Sequence, residues 1–194
     1  ADTHVADASK RPANYDANCA RIEELYKRAL AIKPDNDDVL LALGKHYYNQ
    51  ALFIDEDVNK IKGTKPEDLK KKADLSAKVA DVASKSIEPL EKVFNKYDTQ
   101  GKLKVHEKSN YKSACSLLSY SYEKKKDKAK ADFYQKKYDD AIAMANESLK
   151  LTKNTSINGY FERAMAYSGK KDINASRADL TRIIELTEKN QNVK

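Results

Sequence analysis

Three histidines, His4, His46 and His106, are the first residues to weigh as metal ligands or proton carriers, since neutral imidazole is the commonest metal ligand. They are scattered. No H-E-x-x-H motif, no pair four residues apart and no carboxylate at ligand spacing accompanies them, so metal catalysis has no support. Cys19 and Cys115 are far apart and outside any C-x-x-C or Cys/His cluster, which leaves no legible zinc site or disulfide framework. Both read as small core residues, because a thiol behaves as a buried hydrophobe. The loops that cradle phosphates, G-x-x-x-x-G-K-[ST] and G-x-G-x-x-G, are missing, and so is the G-x-S-x-G nucleophile elbow. Acidic residues are plentiful, but on helical surfaces they serve as solvated faces or as i,i+4 partners of lysine. The expectation is a protein that is not an enzyme and carries neither metal nor cofactor.

The formal net charge of +7 is unevenly spread. Between Lys102 and Lys137 stand Lys104, Lys108, Lys112, Lys124, Lys125, Lys126, Lys128, Lys130 and Lys136 against few acids, a stretch able to meet an acidic protein, a nucleic-acid backbone or another anionic surface. Its bland reading is a solvated helix junction. Stacking of bases needs interleaved aromatics, and of Tyr120, Tyr122, Phe133 and Tyr134 half are explained by the repeat pattern described below, so nucleic acid is the alternative reading. The N-x-[ST] triplets at Asn146, Asn154 and Asn174 read as chance in a chain rich in Asn and Ser, with capping an added reason at Asn174.

The elements that would position these residues are helices. In 194 residues there are 5 Gly and 4 Pro, too few turn-formers for a many-stranded sandwich or barrel. Hydrophobic residues at 40% can supply a core while charged residues at 35% coat long helices. The length suits one domain, and no run approaches the ~20 apolar residues of a membrane span. Residues 1–14 are polar and read as a flexible tail, a processed or trimmed start that favours export to the periplasm or cell envelope over the cytoplasm.

An internal repeat organises the rest. Leu40, Leu43, Gly44 and Tyr47 give large-x-x-Leu-Gly-x-x-Tyr, and Ile22, Tyr26, Ala29 and Pro34 precede them at second-helix spacing. The pattern returns at Tyr160, Ala164 and Tyr167 with Ser176, Leu180 and Ile183, where Arg163 replaces the usual Leu. A weaker copy lies between, at Cys115, Leu118, Ser119 and Tyr122 with Tyr138, Ala141, Ala145 and Ser148. The small residue allows close helix approach and the Tyr fills the gap between successive units. Copies lie further apart than ~34 residues, so insertions are expected. Gly63 to Asp68 starts a long helix running towards Tyr97, which carries the second-helix pattern Ser86, Leu90, Val93, and Pro89 should kink or break it. Residues 98–104 read as the turn into the next helix. The chain resembles the tetratricopeptide repeat (TPR) family, most of all bacterial members with elongated helices, a group often exported and tied to envelope assemblies. The resemblance implies an all-α fold, a short right-handed α-solenoid of about seven helices over residues 15–190, with repeat-like units about 15–50, 68–124, 126–153 and 155–189.

In that family the first helix of each unit lines a concave groove, and its non-packing residues meet the ligand. The resemblance therefore implies a protein segment or peptide as partner, held by Leu41, Lys45, Tyr48 and Asn49 from the first unit. The middle unit would add Ser116, Leu117, Tyr120 and Lys124, and the last would add Asn158, Phe161, Glu162 and Met165. Leu41 and Lys45 stand where chaperone-tail binders carry Lys and Asn, so that ligand is not expected.

Overall fold

Local stop and start signals set the helix boundaries in the computed structural model, which describes residues 13–151, 157–169 and 173–191. The tail expected at residues 1–14, with His4, falls almost wholly outside them, as does Asn154. Eight α-helical segments and no strand occur among the described residues: α1 (Tyr15–Ile32), α2 (Asp37–Lys60), α3 (Pro66–Lys85), α4 (Ile87–Asp98), α5 (Val105–Lys124), α6 (Lys128–Leu151), α7 (Ile157–Gly169) and α8 (Ile173–Gln191). None of these helices is long and apolar enough to cross a membrane.

Each boundary has a local cause. Lys33 leaves helical geometry because it precedes Pro34, whose ring clashes with a helical predecessor. The Asn36 side chain then accepts a hydrogen bond from the Val39 amide at 3.3 Å, and Asp37 and Asp38 complement the dipole of the first turn of α2. Pro66 begins α3, where a missing N–H is harmless, followed by Glu67 and Asp68. The long helix expected towards Tyr97 is broken at Ser86, three residues before Pro89, which falls within the first turn of α4. Counted as one bent rod, α3 and α4 bring the total to the seven helices expected. At the bend the buried Ser86 and Ser121 hydroxyls share a 2.7 Å hydrogen bond across to α5.

The turn from α5 to α6 shows a further device. Lys126 adopts a left-handed φ of 62°, the Asp127 amide donates to the Tyr122 carbonyl, and the Lys126 amide donates to Glu123. This is a Schellman ending with lysine where glycine is usual. Asp127 then caps α6 by accepting from the Lys130 amide at 3.1 Å.

Most of the repeat residues on α2, α4 and α5 are buried. Helix α2 touches α1, α3, α4 and α5, while α5 touches α2, α3, α4, α6 and α7, and α7 packs on α8. Leu90, Val93, Cys115 and Leu118 are fully buried in the main apolar cluster, which joins α2, α4, α5 and α6. A second cluster, Ala51, Val58, Val79, Val82 and Ala83, ties the outer parts of α2 and α3 together. Gly44 is required by close approach, since a Cβ there would stand 2.4 Å from Leu90 Cδ2. Tyr122 fills the space between α4 and α6, donating to Glu91 at 2.6 Å and stacking on Tyr134. Arg163, where the pattern asks for Leu, makes a two-pronged pair with the buried Asp179 at 2.8 and 2.7 Å. Leu180 departs from its expected packing role: it is 45% exposed, and Leu186 joins Tyr160 in the small cluster between α7 and α8 instead.

Candidate functional site

Helices α2, α5 and α7 form a row, α2 against α5 and α5 against α7, and the row carries every residue expected to face a partner. Not all of them reach the surface. Leu41 is 5% exposed and sits in the main cluster with residues of α4, α5 and α6; it is core rather than groove. Leu117 is half-buried against the same cluster. Asn49 and Ser116 are half-buried, and Phe161 on α7 is 41% exposed. Asn158, Glu162 and Met165 lie on α7, but their side chains fall outside the described residues.

Tyr48, Tyr120 and Lys124 do come together. The Tyr48 and Tyr120 rings meet edge to face with centroids 4.8 Å apart, joining α2 to α5. The Lys124 ammonium stands 5.1 Å from the centre of the Tyr120 ring and donates to Asp55 of α2 at 2.7 Å. Burial pushes the Tyr48 hydroxyl up from the ordinary tyrosine range. It pushes Tyr120 up as well, with the Asp55 charge adding to the effect.

Two polar groups here are left uncompensated. The Tyr120 hydroxyl oxygen is buried and has no hydrogen-bond partner among the described residues, a state that costs about 1–3 kcal/mol. Lys45 stands one turn before Tyr48 and Asn49 on α2. It is exposed and has no ion-pair partner among the described residues, yet crowding by protein atoms lowers its pKa below the usual lysine value.

No protein-family model, curated protein or solved structure matches the chain. The reading of this face therefore rests on its own chemistry.

Asp55 was not among the residues expected at this face, although it lies seven residues after Tyr48 and so on the same side of a helix. The signal was there once α2 is carried past residue 50. The basic stretch, in turn, is not one surface. Helix α5 has 20 residues and is about 30 Å long at 1.5 Å per residue, so the lysines at 102–108 and those around 124–130 stand at its opposite ends. Several are occupied within the fold. Lys128 pairs with Asp132, Lys137 with Asp98, and Lys130 donates to the Tyr122 hydroxyl at 3.1 Å. Among the described residues no group of three or more His, Cys, Asp and Glu could hold a metal ion. His46 is buried between α1 and α2 with its Nε2 3.1 Å from the Cys19 carbonyl, and Cys115 is buried in the main cluster.

Proposed function

We propose that this protein is a helical-repeat adaptor of the tetratricopeptide type that holds a segment of another protein along the α2, α5 and α7 row. The observation that carries this reading is the α2/α5 seam. There the Tyr48–Tyr120 aromatic pair lies one turn from Lys45, which is exposed and has no ion-pair partner among the described residues. A bound segment would meet both: an apolar side chain against the accessible edge of Tyr48 and a carboxylate meeting Lys45. The contacts of α2 with α5 and of α5 with α7, and the close approach at Gly44, support successive stacked hairpins. The groove would run on to Phe161.

The experiment is a crosslinking pull-down from the native cells with the full chain and with a Lys45→Glu, Asn49→Arg double variant. Both positions are clear of the main cluster, so circular dichroism and melting temperature should match the parent. Loss of the specifically crosslinked protein from the variant is the expected result. Equal capture by the folded variant and the parent would place the partner elsewhere and end this reading.

A further inference from the structure

Among the described helices α8 packs on α7 alone. Its inner side, with Ile183 and Leu186, meets Tyr160. Its outer side is not uniformly polar, since Ile173, Leu180 and Ile184 are between 45% and 66% exposed. Arg177 and Glu188 are exposed as well. Steps of four, three, four and four residues separate these five positions, so at 3.6 residues per turn they fall within about 80° of the helix surface. They form one strip, apolar with a cation towards its start and an anion towards its end.

The charges of the strip match the same strip run in reverse. Elsewhere on α8, Asp179 is held by Arg163 and Glu185 by Arg182. Arg177 and Glu188 have no ion-pair partner among the described residues. Arg177 precedes Leu180 by three residues and Glu188 follows Ile184 by four. When a second α8 is laid antiparallel, with Leu180 of each copy opposite Ile184 of the other, Arg177 of each comes level with Glu188 of the other to within one residue, about 1.5 Å. A parallel pairing would instead set arginine against arginine and glutamate against glutamate, and would align the helix dipoles unfavourably. The outer strip of α1 is a poorer match, because its exposed Leu25 and Ile32 alternate with exposed Arg21 and Arg28. Those arginines would repel their own copies, and against α8 one of them would meet Arg177. Only the α8 strip fits itself in both sign and spacing.

We propose that this strip is a self-association surface, on which two copies of the chain meet α8 to α8, antiparallel about a two-fold axis. Leu180 and Ile184 form the centre of the contact, and an Arg177 to Glu188 pair closes it on either side. Helix α8 has 19 residues and is about 28 Å long at 1.5 Å per residue. One helix pair of that length buries less than the roughly 1,200 Å² at which standard stable interfaces begin, so the dimer is a weak one. The strip lies outside the α2, α5 and α7 row, and either proposal can fail without the other.

The test is sedimentation velocity of the full chain from roughly 10 to 500 μM, a range suited to an interface of this size. The parent should pass from monomer to dimer and to nothing larger. Leu180→Glu, at an exposed position, should keep the parent's melting temperature and remain a monomer throughout. Arg177→Glu and Glu188→Arg should each weaken the dimer by roughly tenfold or more, because the two-fold axis brings like charges together twice. Mixed one to one, those two variants should recover the dimer, since both charge pairs are then matched again. A head-to-tail contact between α1 and α8 gives no such rescue, because both substitutions alter the same side of it. The proposal is overturned if the parent stays monomeric over the whole range, if any of the three variants dimerises as the parent does, or if the mixture stays monomeric. Growth of the parent beyond a dimer would assign the strip to head-to-tail stacking and overturn it equally.

Discussion

Gly44→Ala is the substitution for which general helix propensity and this structure give opposite answers. In an exposed helix interior alanine is favoured over glycine by about 0.8–1.0 kcal/mol, so an incorrectly placed Gly44 would make the variant more stable. Here the new methyl would lie 2.4 Å from Leu90 Cδ2 and 2.5 Å from Leu90 Cγ. Leu90 is fully buried, one residue after Pro89 in the main cluster, and has no open space into which to turn. Overpacking of this kind costs about 1–3 kcal/mol, so after the propensity gain the net loss is roughly 0–2 kcal/mol, with Gly44→Leu worse still. The decisive measurement is a double-mutant cycle in urea, followed by far-ultraviolet circular dichroism. Leu90→Ala alone should cost about 2–5 kcal/mol. In that background the clash is gone, and Gly44→Ala should become neutral or stabilising by up to about 1 kcal/mol. A stabilising Gly44→Ala in the parent, or an unchanged penalty in the Leu90→Ala background, would refute the close approach of α2 and α4.

Two further outcomes rest on other parts of the fold. Lys126→Gly should raise stability by about 1 kcal/mol, read as a higher melting temperature, because it removes the left-handed penalty at the end of α5; a fall would mean the lysine side chain contributes there. Burial works against the charge of Asp98, but hydrogen bonds from Lys137 and Tyr111 outweigh it and hold its pKa below 3.8, and Lys27 and Tyr47 do the same for Glu23 against 4.5. A depressed carboxylate contributes stability in full above its ordinary pKa and loses it as pH falls through the folded value. The urea midpoint should therefore drop on acidification below about pH 4.5, and Asp98→Asn should make that drop shallower. An unchanged pH profile in Asp98→Asn would show that the ion pair is not formed in solution.

Features decided by local sterics were legible in the sequence. Pro34, Pro66 and Pro89 act within a turn of themselves, so the end of α1, the start of α3 and the break before α4 could be read directly. Gly44 was legible because close helix approach leaves few alternatives to glycine. The residues expected to face a partner were harder, since a helical periodicity assigns faces but not the depth to which neighbouring helices cover them. Leu41 shows the consequence: it lies in the main cluster with residues of α4, α5 and α6. Lys124 was expected as a free ligand contact, but Asp55, 69 residues away in the chain, holds it. The basic stretch misled for the converse reason, because neighbours in sequence are carried to the two ends of a 20-residue helix.

The break at Ser86 has a dynamic consequence. Inward of it, α4 lies in the main cluster; outward, the first three turns of α3 are exposed on nearly every side and meet little beyond α2. A continuous helix would have spread any fraying along its whole length. Here the ladder of amide hydrogen bonds is interrupted, so the outer arm can open without loosening Leu90 or Val93. Amide exchange should accordingly run in two steps: the amides of residues 69–78 lose protection at low free energy, while those of α4 and α5 hold until the chain unfolds as a whole. The buried hydroxyl pair of Ser86 and Ser121 marks the frontier between the two.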